Sequence, residues 1–384
     1  MYRKIFTCSF LALAFAFTPA HAISTAAKFA LLMDYDTGEI LYNKSGYETL
    51  YPASMTKIMT AYLVFEQIKD GRLSLDDELS VSEKAWRKGG SKMFVEVGDE
   101  VNIEDLIKGV VIQSGNDASI VLAEGLSGTE EDFALEMTAK AEQLGMEKTV
   151  FKNATGWPDP EHITSAYDLA VLSRNLIQNF PEYYKYYSEI DFSYNGIKQG
   201  NRNPLLYKNI GADGIKTGHT DEAGYCLTAS AIDGDRRLLL VLGGMESKTE
   251  RSAESEKLLR WGFREFDNYT LFQAGDLVEV AETWLGKKTF LPLTLQENLV
   301  LTLPKRAVKK AKIDVLYDGP LQAPIRQGEE VASLRITLPG EAEPIQLPLV
   351  AAESVEKLSG LNKIKAVLDY LLWGGNPDDL PGRG

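Results

Sequence analysis

Apolar positions along the chain change period several times, and each change predicts an element. Phe29-Ala30-Leu31-Leu32-Met33, the turn Asp36-Thr37-Gly38 and Glu39-Ile40-Leu41-Tyr42 read as strand, turn, strand. The stretch from Ser54 to about Gln67 holds no Pro or Gly and is apolar at Ile58, Tyr62 and Phe65. That spacing predicts a helix with Ser54 in its first turn, stopping near Gly71. Residues 72 to 101 lack a period and are expected to be irregular. Within them Lys88 to Phe94 is Gly-rich and fits a loop over a cleft or a surface turn, with Met93-Phe94 exposed. Helical periodicity returns from Asn102 through Ile112, from Ala118 to Gly125 and from Thr129 to Leu144, which leaves Ser114 to Asn116 at a bend. Another helix opens at Thr164 to Asp168, with Asp168 holding its start, and ends near Pro181. From 191 the pattern turns to strand. Tyr225 to Ile232 and Arg237 to Leu242 flank an Asp233-Gly234 turn as an antiparallel hairpin. A last helix covers 249 to 266.

After Asn268 the pattern becomes short Val/Leu/Thr-rich runs broken by Gly and Pro, such as Leu299 to Leu303 and Ile345 to Leu347, which predict a small all-β domain. From Leu361 to Trp373 one helical side carries Leu361, Ile364, Val367, Leu368, Leu371 and Leu372, while Asn362, Lys363, Lys365 and Asp369 fall opposite. At roughly 20 Å it is too short and too charged to span a membrane. It suits a membrane surface or the protein's own flank. The chain thus divides into a signal segment at 1–22, a mixed α/β (α+β) domain at 23–267 with an antiparallel sheet and a helical subdomain, an all-β domain at 268–350, and the amphipathic segment with its tail at 351–384.

The start of the chain changes what composition means. Arg3 and Lys4, an apolar run from Ile5 to Phe17 and Ala20-His21-Ala22 form a secretory signal with cleavage expected before Ile23. Cys8 lies inside the apolar run rather than after it, against a lipoprotein. Loss of Arg3 and Lys4 from the 41 basic residues leaves 39 against 55 acidic ones, a poor match to nucleic acid. Cys226 is then alone and reads as a small buried hydrophobe. Only His162 and His219 remain, with no His-Glu-x-x-His and no Cys/His cluster, so no metal or organic cofactor is expected.

Candidate chemistry begins at Ser54 and Lys57. On a helix, residues three apart share a face, which brings a hydroxyl within reach of an amine. An amine that has lost its proton can activate serine without histidine. Ser-x-x-Lys is a weak pattern, and Ser354/Lys357 repeats it. Ser114 and Asn116 at the helix bend can present a hydroxyl and an amide, and Lys216 can act as a second cation lowering the pKa of Lys57. Lys216-Thr217-Gly218 has the look of a strand edge, with Gly218 leaving room for an extended peptide to pair. The amides of Ser54 and His219 are candidates for an oxyanion site. Ser-x-Asn recurs at 173 and 193, but Lys-Thr-Gly occurs once, after the other two in order.

These three motifs occur together in class A β-lactamases and penicillin-binding proteins. Pro52-Ala53-Ser54-Met55-Thr56-Lys57, Ile112-Gln113-Ser114-Gly115-Asn116-Asp117-Ala118 and Asp213-Gly214-Ile215-Lys216-Thr217-Gly218-His219-Thr220 resemble those of a low-molecular-weight penicillin-binding protein, a serine-type D-alanyl-D-alanine carboxypeptidase. The resemblance extends to the order of signal, peptidase domain, β domain and terminal amphipathic segment. It implies a serine β-lactamase/transpeptidase-like catalytic domain, a peptidoglycan stem peptide ending in D-Ala-D-Ala as substrate, β-lactams as acylating ligands, and residence on the periplasmic face of the bacterial inner membrane. Arg202 resembles a family position near the substrate carboxylate, its alternative being a surface salt bridge. Gly115 stands where β-lactamases usually have Asp, and no Glu-x-x-Leu-Asn segment is present, which favours the peptidase. A serine β-lactamase on the same fold and a non-hydrolytic β-lactam or wall sensor are the alternatives.

Overall fold

Strands from both ends of the catalytic region meet in one antiparallel sheet. Strand β1 (Phe29–Asp34) and β2 (Ile40–Lys44) come from its start; β3 (Ala212–Thr220), β4 (Gly224–Asp233) and β5 (Arg236–Met245) come from its end. Their order is β2-β1-β5-β4-β3. The computed structural model describes residues 23–339, 343–361, 363–364 and 367–368. The expected signal segment and most of the terminal amphipathic stretch lie outside the described residues.

The two-residue period of the strands sorts the core into two layers. Leu31, Met33, Leu239 and Val241 face a helical layer. Ala30, Leu32, Leu238, Leu240 and Leu242 face the other way, onto Leu258 and Leu259 of the last catalytic-domain helix. The helical layer is built around α1 (Lys57–Lys69), whose residues from Lys57 to Phe65 are all buried. A helix buried all round belongs at the centre of its layer. Around it stand α2 (Ile103–Val111), α3 (Asn116–Ser127), α4 (Glu130–Gln143) and α5 (Ala166–Asn179), and α6 (Lys248–Glu265) covers the opposite sheet face.

Several local expectations are corrected. Ser54 lies not in α1 but in a 3-10 turn, Ala53–Thr56, that precedes it. Residues 72 to 101 are more ordered than their pattern: Glu78–Ser80 pairs with Glu100–Asn102, and Ser82 caps a short helix at Glu83–Arg87. Met93 is fully buried while Phe94 is exposed. The reason is Gly109, where an added Cβ would stand 2.3 Å from the Met93 sulfur. Helix α3 begins at Asn116 rather than Ala118. Ser165, not Asp168, caps α5; the Asp168 carboxylate accepts from Lys148 N at 2.8 Å and Thr149 Oγ1 at 2.6 Å, tying down a loop instead.

In the β domain, Phe266–Phe272 pairs with Leu299–Pro304 beside a six-stranded sheet. Its core includes Ala281, Leu291, Leu293, Leu334, Ile336 and Leu349. Bridges from Val355 to Ile325 and from Lys357 to Gly286 continue past the last strand. The second Ser-x-x-Lys lies there: Ser354 Oγ accepts from Gln327 N at 2.9 Å, a turn contact on the surface.

A buried ion pair joins the sheet to the domain junction. Arg236 Nε meets Asp34 Oδ2 at 2.8 Å, and its Nη1 donates to Phe266 O at 2.6 Å. Asn268 Nδ2 donates to the other Asp34 oxygen at 3.1 Å. Removing one partner leaves an uncompensated buried charge. Arg236→Met is therefore expected to destabilise the catalytic domain by about 3–5 kcal/mol, read as a lower urea midpoint.

Candidate active site

The Ser54 hydroxyl owes its place to a tight turn. Pro52 caps the 3-10 segment, Ala53 takes a left-handed φ of 47°, and Ser54 is left partly exposed at the mouth of α1. Lys57, one turn on, is completely buried. Its Nζ lies 3.2 Å from Ser54 Oγ, 2.7 Å from Asn116 Oδ1 and 2.6 Å from Thr155 O. A neutral amine has two N–H groups and one lone pair. The two carbonyl oxygens can take the N–H groups, which aims the lone pair at the serine hydroxyl. Burial lowers the Lys57 ammonium to about 7, and the positive charge of Arg202 acts in the same direction.

Ser114 sits at the bend between α2 and α3 with φ 63°, and its Oγ accepts from Lys216 Nζ at 2.9 Å. Lys216 is buried in β3, at the edge of the sheet. Burial holds its ammonium well below the usual lysine range, and the charges of Lys57, Arg202 and Arg251 push the same way. Lys216 was expected to be the cation that lowers Lys57. The repulsion between these two buried lysines is mutual, and Arg202 adds a further charge that disfavours the Lys57 ammonium. Gly218 differs from expectation. A Cβ there would stand 2.9 Å from Pro52 O and 3.2 Å from Ala53 Cβ, so the missing side chain admits the nucleophile's turn rather than a ligand. Thr217 is buried beside it, and the exposed His219 stacks on Tyr225 with ring centres 3.9 Å apart.

Arg202 makes no ion pair among the described residues; its Nη1 donates to Ser91 Oγ. Ser91 belongs to the Gly-rich loop, which does cover a cleft. Asp117 fixes that loop by accepting from Met93 N at 2.8 Å and Phe94 N at 2.9 Å. Asn116 Nδ2 adds a bond to Gly89 O at 2.8 Å. The cleft, about 340 Å³, is lined by Ser54, Ser91, Asn116, Thr155, Trp157 and His219, among others.

Two parts of this site escaped the sequence reading. The loop carrying Thr155 is wound about Asn153, whose Oδ1 accepts from the amides of Thr155, Gly156 and Trp157. Asn-x-x-Gly-Trp-Pro is a turn signal that marks this loop. Arg251 lies on the buried stripe of α6 with Ser255, Leu258, Leu259 and Gly262. A cation on such a stripe was the available clue. It is 6% exposed, no carboxylate pairs with it among the described residues, and its Nη1 reaches only Cys226 O, at 3.5 Å. Cys226 is buried, with its thiol raised by burial to about 11.

A family model for D-alanyl-D-alanine carboxypeptidases matches residues 16–247, and one for the C-terminal domain of penicillin-binding protein 5 matches 266–357. D-alanyl-D-alanine carboxypeptidase DacD of Escherichia coli is 39% identical, over 87% of this chain and 88% of that protein. DacF of Bacillus subtilis is 36% identical over 89% of each. Among solved structures, penicillin-binding protein 5 of Haemophilus influenzae superposes with a TM-score of 0.79 at 36% identity, covering 88% of this chain and 99% of that one. DacD of Francisella tularensis gives 0.80 at 35% identity, covering 88% and 95%. With matched models across both domains and relatives alike over nearly nine tenths of its length, the chain belongs to the serine peptidase family of D-alanyl-D-alanine carboxypeptidases, the low-molecular-weight penicillin-binding proteins.

Proposed function

We propose that the protein removes the terminal D-alanine from peptidoglycan stem peptides ending in D-Ala-D-Ala, through an acyl-enzyme on Ser54. The observation that carries this reading is the Lys57 amine, buried, with an acidity near neutrality and 3.2 Å from Ser54 Oγ. Ser54 Oγ attacks the carbonyl between the two D-alanines and Lys57 takes its proton. The amides of Ser54 and His219 hold the oxyanion. Collapse expels D-alanine, whose nitrogen receives a proton through Ser114 Oγ from the lysine network. The departing carboxylate is held by Lys216, Thr217, Arg202 and Arg251, where Gly218 lets β3 approach the nucleophile. Asn116 keeps Lys57 aimed. Water then attacks the acyl-enzyme with Lys57 again as base. β-Lactams acylate the same oxygen. The β-lactamase and sensor readings differ from this one in turnover of D-Ala-D-Ala peptide.

The same reading places the exported protein on the periplasmic face of the inner membrane. Leu361, Ile364 and Leu368 have helical backbone and are 83%, 58% and 51% exposed, which supports a face free to enter a bilayer surface.

Ser54→Ala is expected to abolish both D-alanine release and penicillin labelling. Intact mass should show one adduct on the parent protein, mapped to the Ser54 peptide; an adduct on Ser114 or Ser354 refutes the assignment.

Lys57→Arg should be nearly as inactive as Lys57→Ala, because arginine does not deprotonate. Acylation needs neutral Lys57, so the rate should rise with pH through about 7. Arg202→Gln removes a charge that disfavours the ammonium, so it should move this acid limb to higher pH. Lys216→Gln should lower the plateau and move the limb in the same direction. A limb that stays in place in Arg202→Gln contradicts the coupling.

A chain ended after Ser359 keeps the Val355 and Lys357 bridges and should retain its activity and melting temperature. It should no longer co-sediment with liposomes, whereas the full mature chain should; equal behaviour of the two rules out the anchor.

A further inference from the structure

The six-stranded sheet of the β domain ends on one side in the strand Lys312–Leu316, which pairs with Glu330–Thr337 in an unbroken antiparallel register. Among the described residues no strand pairs with its other side, so a row of backbone donors and acceptors stays open. Proteins blunt such an edge with proline, a bulge or inward charge. This strand has no proline and no bulge. Its open margin instead carries large apolar groups: Ile313 is 44% exposed, and Tyr317, just past the strand, is 37% exposed. Half-buried Val315 lies between them against the core. The two-residue period puts all three on one face.

Charge is separated along the same stretch. Lys309, Lys310 and Lys312 stand at its start. At its end Asp318 and Glu330 line a trough of about 660 Å³ together with Tyr317 and Val331. Burial raises the Tyr317 phenol, and the nearby carboxylates of Glu279 and Glu282 push the same way, which adds two more acids to that end. None of these lysines and carboxylates makes an ion pair among the described residues. Asp314 stands opposite Arg335 of the neighbouring strand.

A segment that adds antiparallel to this edge must bring a cation to Asp318, an acid to Lys312 and apolar groups to Ile313 and Tyr317. The strand read backwards meets that description. We infer that its partner is a second copy of this chain, joined edge to edge through residues 312–318 about a two-fold axis. Opposed residues of an antiparallel ladder turn their backbone groups the same way, so the axis must pass through a residue rather than between two. An axis at Lys312, Asp314 or Leu316 opposes like charges. One at Ile313 sets Tyr317 against Lys309 and Leu316 against Lys310. One at Val315 pairs Lys312 with Asp318 twice, Ile313 with Tyr317 twice, and Val315 with its own copy. Aromatic and β-branched residues opposed across a ladder stabilise it, as do opposite charges. Such a contact is isologous: it covers both open edges and stops at two copies. A single strand pair buries less than the roughly 1,200 Å² of a standard interface, so the dimer is weak and reversible.

Sedimentation equilibrium of the mature chain tests this, with melting temperature checking that each variant folds. The parent is expected to dimerise reversibly. Lys312→Glu or Asp318→Lys alone opposes like charges twice and should raise the dimer Kd roughly tenfold. An equimolar mixture of the two variants restores opposite charges at both places, and its heterodimer should have a Kd within about threefold of the parent's. The chain carrying both substitutions should regain its homodimer. A parent that stays monomeric at about 0.3 mM overturns the inference. So does a dimer whose Kd neither single substitution changes, or a mixture that associates no more tightly than either variant alone.

Discussion

Keeping one lysine amine out of water is the demand that the catalytic domain is arranged to meet. Lys57 opens a helix whose first nine residues are all buried. An ammonium deprived of water is destabilised unless anions compensate. Two carboxylates do act on it, Asp117 and Glu130. Both are occupied: Asp117 by the amides of Met93, Phe94 and Ala118, Glu130 by Ala154 N and by Lys84. What reaches Lys57 directly is two neutral carbonyls and the Ser54 hydroxyl, enough to orient an amine without fixing its proton. The balance leaves the proton easily lost and easily regained, as a base that must act twice in one cycle requires.

Orientation of the nucleophile comes from backbone crowding. A Cβ on Gly156 would stand 1.8 Å from Ala53 O, and one on Gly218 would stand 2.9 Å from Pro52 O. The turn bearing Ser54 is thus gripped from two sides by main chain, from the Asn153 loop and from strand β3. Ala53 accepts a left-handed φ in that grip, an uncommon conformation for a residue with a Cβ. Packing against backbone on both sides leaves the turn little freedom to relax.

Much of this was legible in the sequence because period and punctuation agree there. The Asp233-Gly234 hairpin, the helices around 102 to 144 and the three motifs all combine a clear period with a turn or cap. The short elements between 72 and 101 were not legible, since three-residue strands carry too little pattern to rise above their neighbours. Ser54 was placed on the right face but in the wrong kind of helix, because a 3-10 turn and the first turn of an α-helix share their residue preferences. Arg251 was hidden for another reason. The stripe that carries it is visible in the helical pattern, but its nearness to the site comes from the sheet packed against that stripe, and Thr155 contributes a carbonyl, which no side-chain motif records. That Arg202 joins Lys216 as a charge acting on Lys57 depends on proximity in the fold, which sequence order does not encode.

Strand β3 closes its sheet on one side only, and the free side faces the cleft. Such an edge offers a row of unpaired donors and acceptors to any extended chain, and proteins usually blunt it. This one cannot be blunted without losing the template on which a substrate would lie. The other edge, β2, ends in exposed Asn43 and Lys44, while β3 carries its buried cation and a glycine. Protection against unwanted strand addition must therefore come from the Gly-rich loop and the Trp157 turn that narrow the approach. The same two segments that shape the cleft for a single peptide strand also keep one copy of the protein from templating the next.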